Sequence, residues 1–120
     1  MAERDKLRRQ IASRKYYEAN KAAVKARARV NTQITRKKVK AWLLDYLREH
    51  PCVDCGETNP IVLEFDHVRG TKHFNIAEAA SRTLSLNRVI NEVEKCEVRC
   101  ANCHRQKTYR DAGHTHKGSN

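Results

Sequence analysis

The sequence predicts an α+β domain stapled by a four-cysteine metal site and preceded by a basic helical extension. Three observations predict it. Two Cys-x-x-Cys pairs occur in a chain of only 120 residues, one clear strand pattern lies between them, and the whole positive excess falls in the first 48 residues. With 39% apolar and 32% charged residues, a chain of this size buries a modest core and needs a staple.

Residues 1–35 are rich in Arg, Lys and Ala, and no Pro or Gly precedes Pro51. Good helix formers therefore dominate, but apolar positions are too sparse to pack, so this segment is expected to be a helix that orders on its partner. From Arg36 to Glu49 the pattern sharpens. Val39, Trp42, Leu43, Tyr46 and Leu47 form one apolar stripe at three- and four-residue spacing. That helix should dock on the metal-bound part, with Trp42 as a core anchor, and stop before His50-Pro51 because the residue before proline avoids helical angles. Cys52 to Gly56 reads as a turn, and Ile61 to Val68, β-branched at both ends, as the best strand. After a loop containing Gly70, Ser85 is a candidate cap for a short helix carrying Leu86, Val89, Ile90 and Val93. A second short strand at 97–99, a turn at Cys100–Cys103 and a last helix from His104 to about Arg110 complete the domain. Residues 111–120 are expected to be a disordered tail.

Residues 1–48 hold 15 Lys+Arg against 4 Asp+Glu, and residues 49–120 hold 10 of each. A solvated face is the bland reading of such a stretch. The asymmetry instead points to a grip on a polyanion, with Arg14, Lys15, Lys21, Lys25, Arg27, Arg29, Arg36, Lys37 and Lys38 as the candidate residues for it. The chain opens without an apolar run of signal-peptide type and has no stretch that would span a bilayer. The expectation is a cytoplasmic protein with no membrane partner.

In that compartment paired cysteines read as metal ligands before disulfides. Cys52 and Cys55, and 44 residues later Cys100 and Cys103, supply the four sulfurs of a closed, structural Zn²⁺ site. Such a site joins the turn before the strand to the start of the last helix, which is the treble-clef arrangement. Cys96, the fifth cysteine, is close enough to Cys100 to compete, but a buried free thiol is the reading preferred.

The zinc would also fix the strand end, Asp66-His67, against the helix start, His104. An Asp and a His give a mixed oxygen–nitrogen site with open positions, suited to a hydrated divalent ion and a phosphate oxygen. A neutral His beside it suits the activation of water near neutral pH. Adjacent strand residues point to opposite faces, so Asp66 and His67 are expected to share one site through a twist or bulge at the strand end.

The elements Cys-x-x-Cys, Phe65-Asp66-His67 and Cys100-x-x-Cys103-His104-x-x-Lys107-Thr resemble the zinc-containing HNH endonucleases, whose core is the ββα-metal motif. The phrase from Lys95 to His104 is especially similar to small HNH proteins of phages and bacteria. The resemblance covers about residues 39–110. It implies a nuclease domain at 36–110 in which Asp66 and His104 bind a catalytic Mg²⁺ or Mn²⁺, His67 is the general base, and Lys107 contacts phosphate. The family's middle Asn normally lies shortly before the second knuckle, where this chain has Lys95 and Cys96; Asn75 and Asn91 are both candidates. Asn102 reads as turn-forming, and His50, His73, His114 and His116 as surface residues, with DNA contact open for His73. DNA is the implied substrate, nicked by one chain or cut on both strands by a homodimer, and a packaging or terminase-type protein partner is also open. The alternative is a non-catalytic zinc module that binds nucleic acid.

Overall fold

The computed structural model describes residues 2–113. His114, His116 and most of the expected tail lie outside the described residues. Helix α1 runs without interruption over Ala2–Glu49, where periodicity suggested two separate helical patterns. With neither Pro nor Gly before Pro51, nothing in the backbone breaks the ladder. The helix stops before Pro51, and the His50 ring Nδ1 donates to the Tyr46 carbonyl at 2.7 Å, satisfying one of the orphan acceptors of the last turn. The chain divides into two compact units, residues 1–34 and 35–120. In the first, every described residue except Asn20 and Thr32 is exposed, as its sparse apolar pattern requires.

The second unit contains β1 (Leu63–His67), α2 (Leu86–Val93), β2 (Cys96–Cys100) and α3 (Ala101–Asp111). The two strands form an antiparallel sheet from Leu63↔Cys100 to His67↔Cys96. The strand predicted from Ile61 starts later, because Asn59 caps a 3₁₀ turn over Pro60–Val62 by accepting from the Ile61 N–H. Ser85 caps α2 by accepting from the Arg88 N–H. Cys100–Cys103 is no separate turn: β2 runs to Cys100, whose sulfur caps α3, so Asn102 and Cys103 sit in the helix's first turn.

Two apolar clusters flank the sheet. Val39, Val89, Val93, Ile76 and Phe74 centre the larger, and Cys52, Leu63, Val98 and Cys100 the smaller. The stripe on α1 serves both: Trp42 and Leu43 pack on the first, Leu47 on the second and Tyr46 on each. The segment between the strand and α2, read from sequence as a loop, also belongs to the core through Phe74, Ile76, Ala79, Ala80 and Leu84. Ile76, Ala79, Ala80 and Leu84 fall at helical spacing, but two of the four are alanines and the only regular element there is a 3₁₀ turn over Ile76–Glu78, so the signal in the sequence is weak. Among the described residues no helix is long and apolar enough to cross a membrane.

Candidate functional site

Cys52, Cys55, Cys100 and Cys103 offer sulfurs that all lie within 4.8 Å of one another, and they could hold a metal ion such as zinc. The first pair is shaped by a tight turn in which the Gly56 N–H donates to the Cys52 carbonyl at 2.9 Å. Gly56 has φ of +79°, where a Cβ would be strained. The second pair spans the junction between β2 and α3. A tetrahedral zinc about 2.3 Å from each sulfur sets the sulfurs about 3.8 Å apart, and Cys55 Sγ and Cys100 Sγ are 3.7 Å apart. Burial raises the Cys52 thiol, but the backbone N–H groups of Cys100, Cys55 and Asp54 outweigh it and bring its pKa down to about 6. The Cys103 thiol is pushed up to about 12, chiefly by the Cys100 sulfur. Thiolates this close repel one another, and a divalent cation relieves that repulsion. The donor set, the spacing and the charge therefore fit zinc.

Asp66 lies beside this cluster, and only 7% of it is exposed. Its Oδ2 accepts from Arg99 at 2.7 Å and pairs with Lys107 Nζ at 3.3 Å, while Oδ1 lies 3.4 Å from His104 Nε2. Arg99 continues to Asp54, inside the first cysteine pair, at 2.8 Å, and to Glu97 at 3.4 Å. Burial opposes the charge on Arg99, yet the carboxylates of Asp54, Glu97 and Asp66 raise its pKa further. The Asp111 and Asp66 carboxylates do the same for Lys107. His104 is oriented from its other side, by Glu64 Oε1 at 2.9 Å from Nδ1. The ring thus sits between two carboxylates, Glu64 at Nδ1 and Asp66 at Nε2. A protonated ring would bridge both; a neutral ring with its proton on Nδ1 would offer Nε2, beside Asp66 Oδ1, to a divalent ion. The 3.4 Å between those two atoms is near the roughly 3.0 Å between adjacent ligands of an octahedral ion bound at about 2.1 Å.

His67 does not join them. The register Asp66↔Glu97, His67↔Cys96 is regular, so the bulge expected at the strand end is absent and the alternation of the pleat wins. Glu64 and Asp66 turn toward α3, whereas Phe65 packs on Tyr46 and His67 Nε2 meets Glu92 Oε2 at 2.9 Å. Glu92 is 1% exposed. Its Oε1 takes Lys95 Nζ at 2.8 Å and its Oε2 also accepts the His73 N–H at 2.9 Å. Burial works against the carboxylate, but Lys95, the His73 N–H and His67 hold its pKa down to about 2. His67 and His104 do line one cleft of about 600 Å³, together with Glu64, Leu63, Phe65, Lys72 and Asn75. Lys40, Leu43, Leu44 and Leu47 of α1 and residues of the segment before α2 complete the lining, in which Asp66 does not take part.

Of the other sequence candidates, Arg14, Lys15, Lys21, Lys25, Arg27, Arg29, Lys37 and Lys38 are exposed. Arg36 is engaged with Thr83 Oγ1 at 3.0 Å and the Ser81 carbonyl at 3.2 Å, which ties α1 to the loop before α2. Asn75 lines the cleft and Asn91 is exposed on α2. Cys96 is a buried thiol donating to the Glu92 carbonyl at 3.5 Å, and burial pushes its pKa up to about 11. Sequence reasoning missed Glu64, Glu92, Lys95 and Arg99. For Glu92 the signal was present: a carboxylate three residues after Val89 and beside Val93, inside the stripe of α2. No protein-family model, no curated protein and no solved structure matches this chain.

Proposed function

We propose that this chain is a metal-dependent DNA endonuclease of the HNH kind, with β1, β2 and α3 as a ββα-metal core of treble-clef type. The observation that carries the reading is the cleft beside β1. His67 and His104 line it, and Asp66 Oδ1 lies 3.4 Å from Nε2 of His104. The cysteine cluster supports it by clamping the start of α3 to the turn before β1.

In this reading a DNA phosphodiester lies along the cleft and His67 takes the proton of an attacking water. The hydroxide attacks phosphorus in line, the bond to the 3′ oxygen breaks, and the leaving oxygen is protonated from solvent. Mg²⁺ or Mn²⁺ held by Asp66 and His104 would supply Lewis-acid stabilisation of the charge developing on the phosphate and the leaving oxygen. Glu64 keeps the His104 ring in the orientation this requires. Arg99 and Lys107 crowd Oδ2 of Asp66 and so leave Oδ1 beside His104. The exposed basic residues of 1–35 would contribute affinity through phosphate neutralisation.

One observation favours a second reading. Asp66 already has two cationic partners, Arg99 and Lys107, as a purely structural carboxylate would. A non-catalytic zinc module that binds nucleic acid fits that pairing. Incubation of zinc-loaded protein with supercoiled plasmid and Mg²⁺ or Mn²⁺ separates the two. Open-circular or linear product supports the nuclease, and binding without cutting under either metal supports the module.

A further inference from the structure

We infer that Glu92 is the positioning residue for His67: it fixes the ring with its proton on Nε2 and presents Nδ1 as the nitrogen that receives a proton. The inference deepens the nuclease reading and rests on it.

Three parts of the fold converge on this carboxylate. His67, at the end of β1, donates from Nε2 to Oε2 at 2.9 Å. The His73 N–H donates to the same oxygen at 2.9 Å, and Lys95 Nζ donates to Oε1 at 2.8 Å while also reaching the Thr71 carbonyl at 2.7 Å. Glu92 lies on the buried side of α2 with Val89 and Val93, which are 0% and 1% exposed. A valine or leucine would fill such a position without desolvating a charge, so a carboxylate there is costly unless its lone pairs are used. A carboxylate used only to tie down residues 71–73 has its partners in Lys95 and the His73 N–H. The bond to His67 exceeds that need.

The chemistry of the pair decides the ring's state. A carboxylate accepts and cannot donate, so the nitrogen facing it carries hydrogen. The neutral ring then has its lone pair on Nδ1, which has no hydrogen-bond partner among the described residues, while His67 itself lines the cleft. The reactive nitrogen is thus assigned to Nδ1. A histidine free to rotate would divide its time between two tautomers and several orientations.

The Glu92→Gln variant weakens this hold with little change in volume. Its amide is uncharged and has one acceptor oxygen for the three donors that Glu92 serves, His67, the His73 N–H and Lys95, so the bond that keeps the proton on Nε2 is weakened or lost. Plasmid nicking by the zinc-loaded full chain should fall in kcat by roughly 10- to 100-fold, the range for loss of a group that orients a reacting residue. KM and plasmid affinity should hold, and Glu92→Asp, which keeps an acceptor, should recover part of the loss. In parallel, ¹⁵N spectra of the wild type should show His67 protonated at Nε2 with Nδ1 bare, a readout that needs no variant to fold. Nδ1 protonation in the wild type, or Glu92→Gln nicking at the wild-type rate, overturns the inference. Failure of the nuclease reading looks different: the wild type never nicks, yet its spectrum still shows the Nε2 proton.

Discussion

Replacing Arg99 with methionine isolates the buried charges beside the cysteine cluster. Arg99 and Asp66 are each 7% exposed and meet at 2.7 Å, so removing the guanidinium leaves a carboxylate in the interior with a weaker partner, Lys107, at 3.3 Å. Breaking a buried pair from one side costs about 3–5 kcal/mol. The other two arms add little, because the Asp54 and Glu97 side chains are 38% and 35% exposed and pairs near solvent contribute at most about 1 kcal/mol. The expected loss is therefore about 3–5 kcal/mol, a large share of a typical domain stability of about 5–15 kcal/mol. Denaturant titration of zinc-loaded protein, followed by circular dichroism, measures it. The double variant Arg99→Met/Asp66→Asn should recover much of the loss, since a neutral amide needs no counter-charge. A loss under about 1 kcal/mol, or costs that simply add, would refute the view that this pair carries the energy.

Three other outcomes follow from the same geometry. Chelating the metal from the four-cysteine cluster should abolish near-ultraviolet dichroism from the Trp42–Tyr46 stack, 5.3 Å apart, because metal binding is coupled to folding; an unchanged spectrum in metal-free protein contradicts it. Glu92 is depressed from 4.5 to about 2, so its stabilisation is fully present above pH 4.5 and is lost as pH falls toward 2, an effect on the order of 3 kcal/mol. The stability gap between wild type and Glu92→Gln should shrink across that window, with the effects of thiol protonation common to both cancelling, and a gap independent of pH argues against it. Deleting residues 1–35 should weaken DNA binding and flatten the dependence of log affinity on log salt by roughly 0.9 for every phosphate no longer neutralised; an equal slope in the truncated chain rules out the basic helix as the grip.

Local chemistry carried most of what could be read from the sequence. The helical stripe Val39–Leu47, the Ser85 cap and the pairing of two cysteine knuckles each depend on residues close in sequence or on a fixed spacing, and each has its counterpart in the fold. The Asp66–His104 approach was readable because the cysteines tether both residues. What escaped depends on the third dimension. The core segment 74–84 buries Ile76, Ala79, Ala80 and Leu84 at helical spacing, but half of that stripe is alanine and Thr83, with φ of +55°, interrupts any helix, so the sequence reads as a loop. The orientation of His67 was misjudged because sharing one site with its neighbour Asp66 was given more weight than the pleat. The regular β1–β2 ladder turns His67 toward α2 instead, where Glu92 waits inside an apolar stripe. Arg99 reads as one more surface cation until the fold sets it between Asp54 and Asp66, and the bonds of Arg36 to Ser81 and Thr83 join residues too far apart in sequence to be read from it.

The nuclease proposal stands or falls on a supercoiled-plasmid assay with Mg²⁺ or Mn²⁺, comparing the wild type with His67→Ala while zinc content and DNA affinity are measured for both. Open-circular or linear DNA is expected from the wild type alone, with the variant still zinc-loaded and still bound to DNA. Equal cutting by both proteins would remove His67 from the chemistry, and a wild type that binds plasmid but never breaks it would contradict the nuclease.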